Sequence, residues 1–168
     1  MSKLRIAAAA LTLSAAGFAA IVGHEGFEPV AKPPVQGDRP TYGFGSTFHA
    51  DGTPVQAGEV ITPPAAIRLS VAHITKGEPQ LRACVTAPVS QEEWDILVDF
   101  AYWRGFSGAC RSEVVQNINA GRYADACAAY LNLDSRKAAG RDCAAAGSGC
   151  RGVWLRAQER NRKCMEAQ

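Results

Sequence analysis

The stretch HEGFEPVAKPPVQGDRPTYGFGST runs from His24 to Thr47 and sets the class of fold to expect. It is rich in Gly and Pro, and that character extends from Gly23 to about Thr62. Such residues interrupt helices and build turns, because Pro fixes φ and lacks an N–H while Gly reaches conformations closed to other residues. Between the turns lie short β-prone runs such as Thr41-Tyr42-Gly43-Phe44, and Asp51-Gly52 is a strong hairpin-turn signal. The segment predicts a small antiparallel sheet.

Downstream the period changes to that of helices. Thr62 can cap a helix that has Pro63 in its first position and runs to about Cys84, with apolar Ala66, Leu69, Ile74 and Leu81 among polar residues. Ser90 and Glu93 form a capping box ahead of Trp94, Leu97, Val98 and Ala101, which recur at helical spacing and predict a core helix ending near Gly105. Helical patterns continue over Ser112 to Ala120 and Tyr123 to Leu131, broken by Gly121, and a basic helix closes the chain from about Gly152 to Cys164. All six cysteines, Cys84, Cys110, Cys127, Cys143, Cys150 and Cys164, fall in this half at spacings that match no paired zinc-ligand pattern. Their even number favours disulfides, and Cys143 and Cys150 flank a small loop, AAAGSG, that closes easily.

Upstream, Ile6 to Val22 reads IAAAALTLSAAGFAAIV without a charge, behind Lys3 and Arg5. An uncharged run behind basic residues is an export signal, and this one is at the lower limit of roughly 17 residues for a helical span. About half of it is alanine, diluted further by Thr12, Ser14 and Gly17, so its transfer into lipid is weakly favourable. Three readings stay open: a cleaved signal peptide, with small residues around Gly17 and Ala19; a permanent anchor; and a signal-anchor-release segment that tethers the protein and later leaves the bilayer. A released segment is expected to stay helical in water on its alanines. The chain of 168 residues suits one domain beyond this segment. A net charge of +2 is too small for nucleic acid and mildly suits an anionic polymer. His24, His49 and His73 form no pattern that would place two imidazoles on one helix face, so no metal and no cofactor are expected.

Glu25-Gly26 followed by Thr41-Tyr42-Gly43-Phe44-Gly45 resembles the signature of the phage-type lysozymes, a Glu-Gly pair at a helix end, a turn, and then T-x-G-x-G. PVSQEEWDILVDFAYWRG is similar to that family's central buried helix, and GVWLRAQERNRKC to its closing Arg-rich helix. The resemblance spans about Gly23 to Cys164, and the N-terminal run suggests its signal-anchor-release branch. It implies an α+β, lysozyme-like fold: an N-terminal helix, a small β-rich lobe, a cleft and a larger helical lobe carrying the cysteines. Residues 1–22 would be the export segment and residues 23–168 the catalytic domain.

The implied reaction is hydrolysis of the peptidoglycan bond from N-acetylmuramic acid to N-acetylglucosamine, as an endolysin that lyses its host. Glycosidic cleavage needs an acid for the leaving oxygen, and a carboxyl in a partly apolar cleft keeps its proton near neutral pH. The resemblance assigns that role to Glu25, which has Val22 and Phe27 nearby. A second group must orient water or stabilise the oxocarbenium-like transition state. The family's usual aspartate is missing, since its place falls on Pro34 counted from Glu25 or on Val35 counted from Thr41. Asp38 is the nearest substitute, as a second carboxylate or as a turn residue, and Thr41 is the expected water-positioning or stabilising group.

Other residues receive plainer readings. Glu28 reads as a solvated carboxylate, Trp94 as core, and Gly43 and Gly45 as tight backbone beside sugar or within a turn. Tyr42, Phe44, Tyr102 and Trp103 are candidates for sugar stacking, and Arg156, Arg160 and Arg162 for a solvated basic face. The expected protein is a monomer, exported, held at the inner membrane and then periplasmic. Two rivals remain open. One is a lytic transglycosylase-like enzyme, in which the substrate's own hydroxyl replaces water; the other is a non-catalytic, membrane-tethered wall-binding protein.

Overall fold

Gly26 ends the first helix, α1 (Ala15–Glu25), because its φ of 68° is one that L side chains rarely adopt. The computed structural model describes residues 3–34, 37–138 and 140–168. The chain divides into two units, Ala19–Gly77 and the described part of Met1–Phe18 together with Glu78–Gln168. The helices α1 and α2 (Pro63–Cys84) each contribute residues to both units.

In Ala19–Gly77, β1 (Glu28–Lys32) and β2 (Thr41–Gly43) pair antiparallel, with Glu28 opposite Gly43, Lys32 opposite Thr41 and an irregularity between. The expected Asp51-Gly52 turn is present: His49 N–H donates to Thr53 O at 2.9 Å and Gly52 N–H to His49 O at 3.0 Å. Asp51 steadies it by accepting from the Thr53 N–H and hydroxyl at 2.9 and 2.7 Å, and those bonds hold its carboxyl below the usual range. The first turns of α2 supply Leu69 to a small core with Ala31, Tyr42 and Val55, against which Ile61 packs.

The other unit is helical. Its elements are α3 (Gln91–Arg104), α4 (Phe106–Cys110), α5 (Glu113–Asn119), α6 (Tyr123–Ala129), α7 (Leu133–Arg136) and α8 (Arg151–Glu166), with a short hairpin of β3 (Lys137–Ala138) and β4 (Arg141–Asp142). The predicted capping box on α3 is formed in both directions, Ser90 accepting from Glu93 N–H and Glu93 from Ser90 N–H. Trp94 is fully buried, as its helical spacing predicts, and its indole N–H donates to Glu78 at 3.0 Å. The disulfides are Cys84–Cys110, Cys127–Cys164 and Cys143–Cys150, the last closing the expected small loop.

Two expectations need correction here. Arg160 does not belong to a basic face: it is buried, paired to Asp99 at 2.5 Å, and its guanidinium lies over the rings of Phe100 and Trp103. A cation in the interior needs such a partner, and the neighbouring rings add a cation–π contact. Nor is the apolar run from Ile6 to Val22 one helix. Ile6 instead exchanges backbone hydrogen bonds of 2.9 Å with Val89, Ala8–Ala10 form a single 3-10 turn, and α1 starts only after Ser14. Alanine propensity is overridden by tertiary bonds. Ser14 N–H and hydroxyl both donate to Asp95, at 2.9 and 2.5 Å, while its oxygen accepts from Gly17 N–H as a helix cap. Among the described residues, no helix is long and apolar enough to cross a membrane.

Candidate active site

Glu25, Asp38 and Thr41 all lie within Ala19–Gly77. Glu25 is the last residue of α1, half-buried, and Gly26 turns the chain away from it. Thr41 opens β2 and is half-buried. After it, Tyr42 and Ser46 exchange backbone hydrogen bonds of 3.2 and 3.0 Å, closing a tight turn over Gly43-Phe44-Gly45. Both glycines have positive φ, 61° and 80°. Each also stands where a side chain would be crowded. A β-carbon on Gly43 would lie 2.9 Å from that of Ala66, and one on Gly45 would lie 3.1 Å from Oε2 of Glu25. The spaced glycines therefore let the turn close against α2 and against the Glu25 carboxylate.

The neighbouring aromatic residues divide by role. Phe27, partly exposed, packs on the ring of Phe44 with centroids 5.7 Å apart, which puts an apolar pair next to Glu25 in the chain and next to Gly45 in the turn. Tyr42 is no sugar platform, because it is 5% exposed and its hydroxyl is engaged by His49 at 2.9 Å. Glu28 is held by Lys32 at 2.5 Å, and that bond keeps its carboxyl below the usual range, in keeping with an ionised surface acid. Asp38 is exposed in a bend after Gly37, whose φ is 91°, and the usual aspartate's two possible places, Pro34 and Val35, put one inside and one outside the described residues.

The family model for phage lysozyme matches residues 22–147, which includes Glu25, the glycine turn and the central helix. The chain belongs to the phage lysozyme family. It is thus a lysozyme, a peptidoglycan-degrading enzyme with an α+β fold. Solved structures share that fold at low identity. The endolysin from Escherichia coli O157:H7 phage FAHEc1 is 24% identical, with 95% of this chain and 96% of that one covered at a TM-score of 0.79. The muramidase domain of SpmX from Asticaccaulis excentricus is 23% identical over 92% of this chain and 97% of that one, at 0.75. A mutant of P22 lysozyme is 23% identical over 92% and 99%, at 0.71. No curated protein matches the chain significantly.

Sequence reasoning missed two groups around the candidate site. Phe27 reads there only as an apolar neighbour of Glu25, although its ring packs on that of Phe44 in the glycine turn. His49, which holds the Tyr42 hydroxyl, and Glu59, which holds His49, carry no signal, because they meet through turns and loop segments that no regular period spans.

Proposed function

We propose that this lysozyme hydrolyses the bond from N-acetylmuramic acid to N-acetylglucosamine, with Glu25 as the acid that protonates the leaving oxygen. The observation that carries the reading is the closeness of the Glu25 carboxylate to Gly45, which leaves backbone alone between the acid and the turn that follows Thr41. An acid at such a site acts on a polymer brought against bare backbone, and Phe27, partly exposed and backed by the buried Phe44, offers apolar surface for a sugar ring. Thr41 orients the attacking water or stabilises the developing charge. Asp38 is the assisting carboxylate, three residues ahead of Thr41 on the exposed bend.

Peptidoglycan from a Gram-negative wall, digested by the wild type and by Glu25→Gln and analysed for reducing ends, tests the assignment. The wild type should release reducing N-acetylmuramic acid, and the variant should lose about 10³-fold in turnover. Anhydro-sugar ends would identify a transglycosylase instead. Asp38→Asn should slow turnover by about 10²-fold with the fold intact, the low end for a positioned acid-base group. Unchanged turnover would reduce Asp38 to a turn residue.

The same reading includes an endolysin that is exported, tethered at the inner membrane by its N-terminal segment and then released as a periplasmic monomer. What supports retention of the segment, over cleavage, is how much of it takes part in the fold. Arg5 donates to Glu93 at 2.7 and 3.0 Å and to Gln168 at 2.7 Å, and lies 3.7 Å from the centre of the Tyr123 ring. Burial raises the Glu93 carboxyl, but Arg5, the Ser90 N–H and Gln168 outweigh it and hold the group below its usual range. Ala8 and Leu11 are buried as well. Strengthening the span at its exposed positions, by Thr12→Leu with Ala16→Leu, should trap the protein on membranes without disturbing these contacts. Fractionation before and after an uncoupler reads the outcome, and a soluble, N-terminally shortened protein would favour the cleaved signal.

A further inference from the structure

Neighbouring residues of a strand point to opposite faces, so behind Thr41 the side chain of Tyr42 turns into the core of Ala19–Gly77. Its hydroxyl stands 2.9 Å from Nδ1 of His49, whose Nε2 stands 3.0 Å from Oε2 of Glu59. Glu59 is itself held at both ends: Oε1 accepts from Gln56 N–H at 3.1 Å, and its carbonyl accepts from Ala31 N–H of β1 at 2.8 Å. Three side chains from separate segments thus form an unbroken polar line from β2 to the loop beside β1. A cavity of about 650 Å³ opens beside this line, lined also by Ile61, Arg68 and Leu69. Tyr42 is the residue that closes the glycine turn, so any shift of its ring moves the backbone that abuts Glu25.

We infer that Tyr42, His49 and Glu59 are a positioning relay for the catalytic turn, and that the protonation of His49 sets the relay's polarity and with it a pH dependence of turnover. The inference rests on Glu25 as the acid. A neutral imidazole carries one N–H and one lone pair. With Glu59 ionised, Nε2–H donates to it and Nδ1 accepts from the Tyr42 hydroxyl, so every group in the line is satisfied. When His49 gains a second proton, both nitrogens donate. Tyr42 must then accept, and its own proton has to swing toward the cavity. Protonation therefore makes the bond to Glu59 charge-assisted but reverses the one to Tyr42, and turnover falls at low pH as the neutral form is lost.

The groups around His49 are compatible with this. Burial, with Glu59 and Asp51 nearby, pushes the Tyr42 hydroxyl up, so it remains an O–H donor across the working range. Asp51 acts on His49 from their shared hairpin, and Arg68 faces the same cavity from α2. His73, also on α2, is bonded to the backbone carbonyl of His49; burial, aided by Lys76, keeps its pKa below the usual value, so it adds little charge there near neutral pH.

The test compares kcat and KM against pH on purified peptidoglycan for the wild type, Tyr42→Phe and His49→Gln, with NMR of the His49 and Tyr42 rings. Gln keeps one donor and one acceptor but does not titrate. Tyr42→Phe should lower kcat about 3- to 10-fold with KM little changed, the effect of one lost hydrogen bond. His49→Gln should lose the acid-side limb that the wild type shows. In the wild type the Tyr42 resonances should titrate in step with His49, and in His49→Gln they should not. Variant profiles that superimpose on the wild type, or Tyr42 resonances indifferent to His49, would overturn the relay. Should Tyr42→Phe fail to fold, His49→Gln and the wild-type titration decide. An active Glu25→Gln would instead sink the acid assignment, and the NMR titration would still judge the relay by itself.

Discussion

The unit Ala19–Gly77 and the helical unit hold themselves together by different means. The first has a two-stranded sheet, a few isolated bridges and a core of Ala31, Tyr42, Val55 and Leu69. The second buries Trp94 and a continuous run of α3 side chains from Ile96 through Ala101, and among the described residues it carries three ion pairs with buried members, Asp99–Arg160, Arg5–Glu93 and Glu78–Arg82. It also carries all three disulfides. The proposed acid and its glycine turn sit in the lightly braced unit, where backbone can approach a carboxylate because side chains are missing. Low local stability is common where function resides. With Glu25 as the acid, stability and catalysis are separable in this lysozyme.

The largest effect should come from the cross-link between α6 and α8. Cys127 and Cys164 are 37 residues apart, and a loop of that length costs about 4 kcal/mol of stability when opened, on the chain-entropy account. Denaturant unfolding of Cys127→Ser/Cys164→Ser should show that loss, while the folded fraction keeps its kcat. A folded but inactive double variant would break the separation. The reverse case is Gly45→Ala, which pushes a methyl toward Glu25 at a φ of 80°. Displacing a catalytic group by a fraction of an ångström to one ångström can cost about 10²-fold in kcat, against about 1–2 kcal/mol of backbone strain. Loss of folding without loss of turnover per folded molecule would contradict it.

Two smaller effects sharpen the same contrast. Ser90→Ala removes the cap of α3 and should lower stability by about 1 kcal/mol without changing the pH profile of activity. Acid unfolding should reveal the last. Arg136, helped by the Ala144 N–H, holds Asp142 at about 2. A carboxyl depressed in the folded state stabilises it above the ordinary carboxylate pKa, and that contribution is lost as pH falls from about 4 toward 2. Asp142→Asn should flatten this part of the acid-unfolding curve, and an unaltered slope would show that the pair contributes nothing to folding.

What the order of residues settles alone is local. The capping box at Ser90, Pro63 at the start of α2, the break near Gly121, the Asp51-Gly52 turn and the closed Cys143–Cys150 loop were all legible, since each depends on residues within a few positions. The buried face of α3 was legible too, because a helical period survives in the order of residues. Glu25 and the T-x-G-x-G run were marked by their resemblance to a family. Only the tertiary structure decided the rest. Arg160 looked like surface until Asp99, 61 residues away, was brought against it, and Ser14 looked like a diluent of an apolar run until Asp95 claimed both its donors. Tyr42 looked like a stacking ring until His49, itself held by Glu59, took its hydroxyl. In each case the deciding partner lies outside the local pattern in which the residue is read, and a polar group's role is set by whichever partner can repay its desolvation, a quantity that no local pattern records.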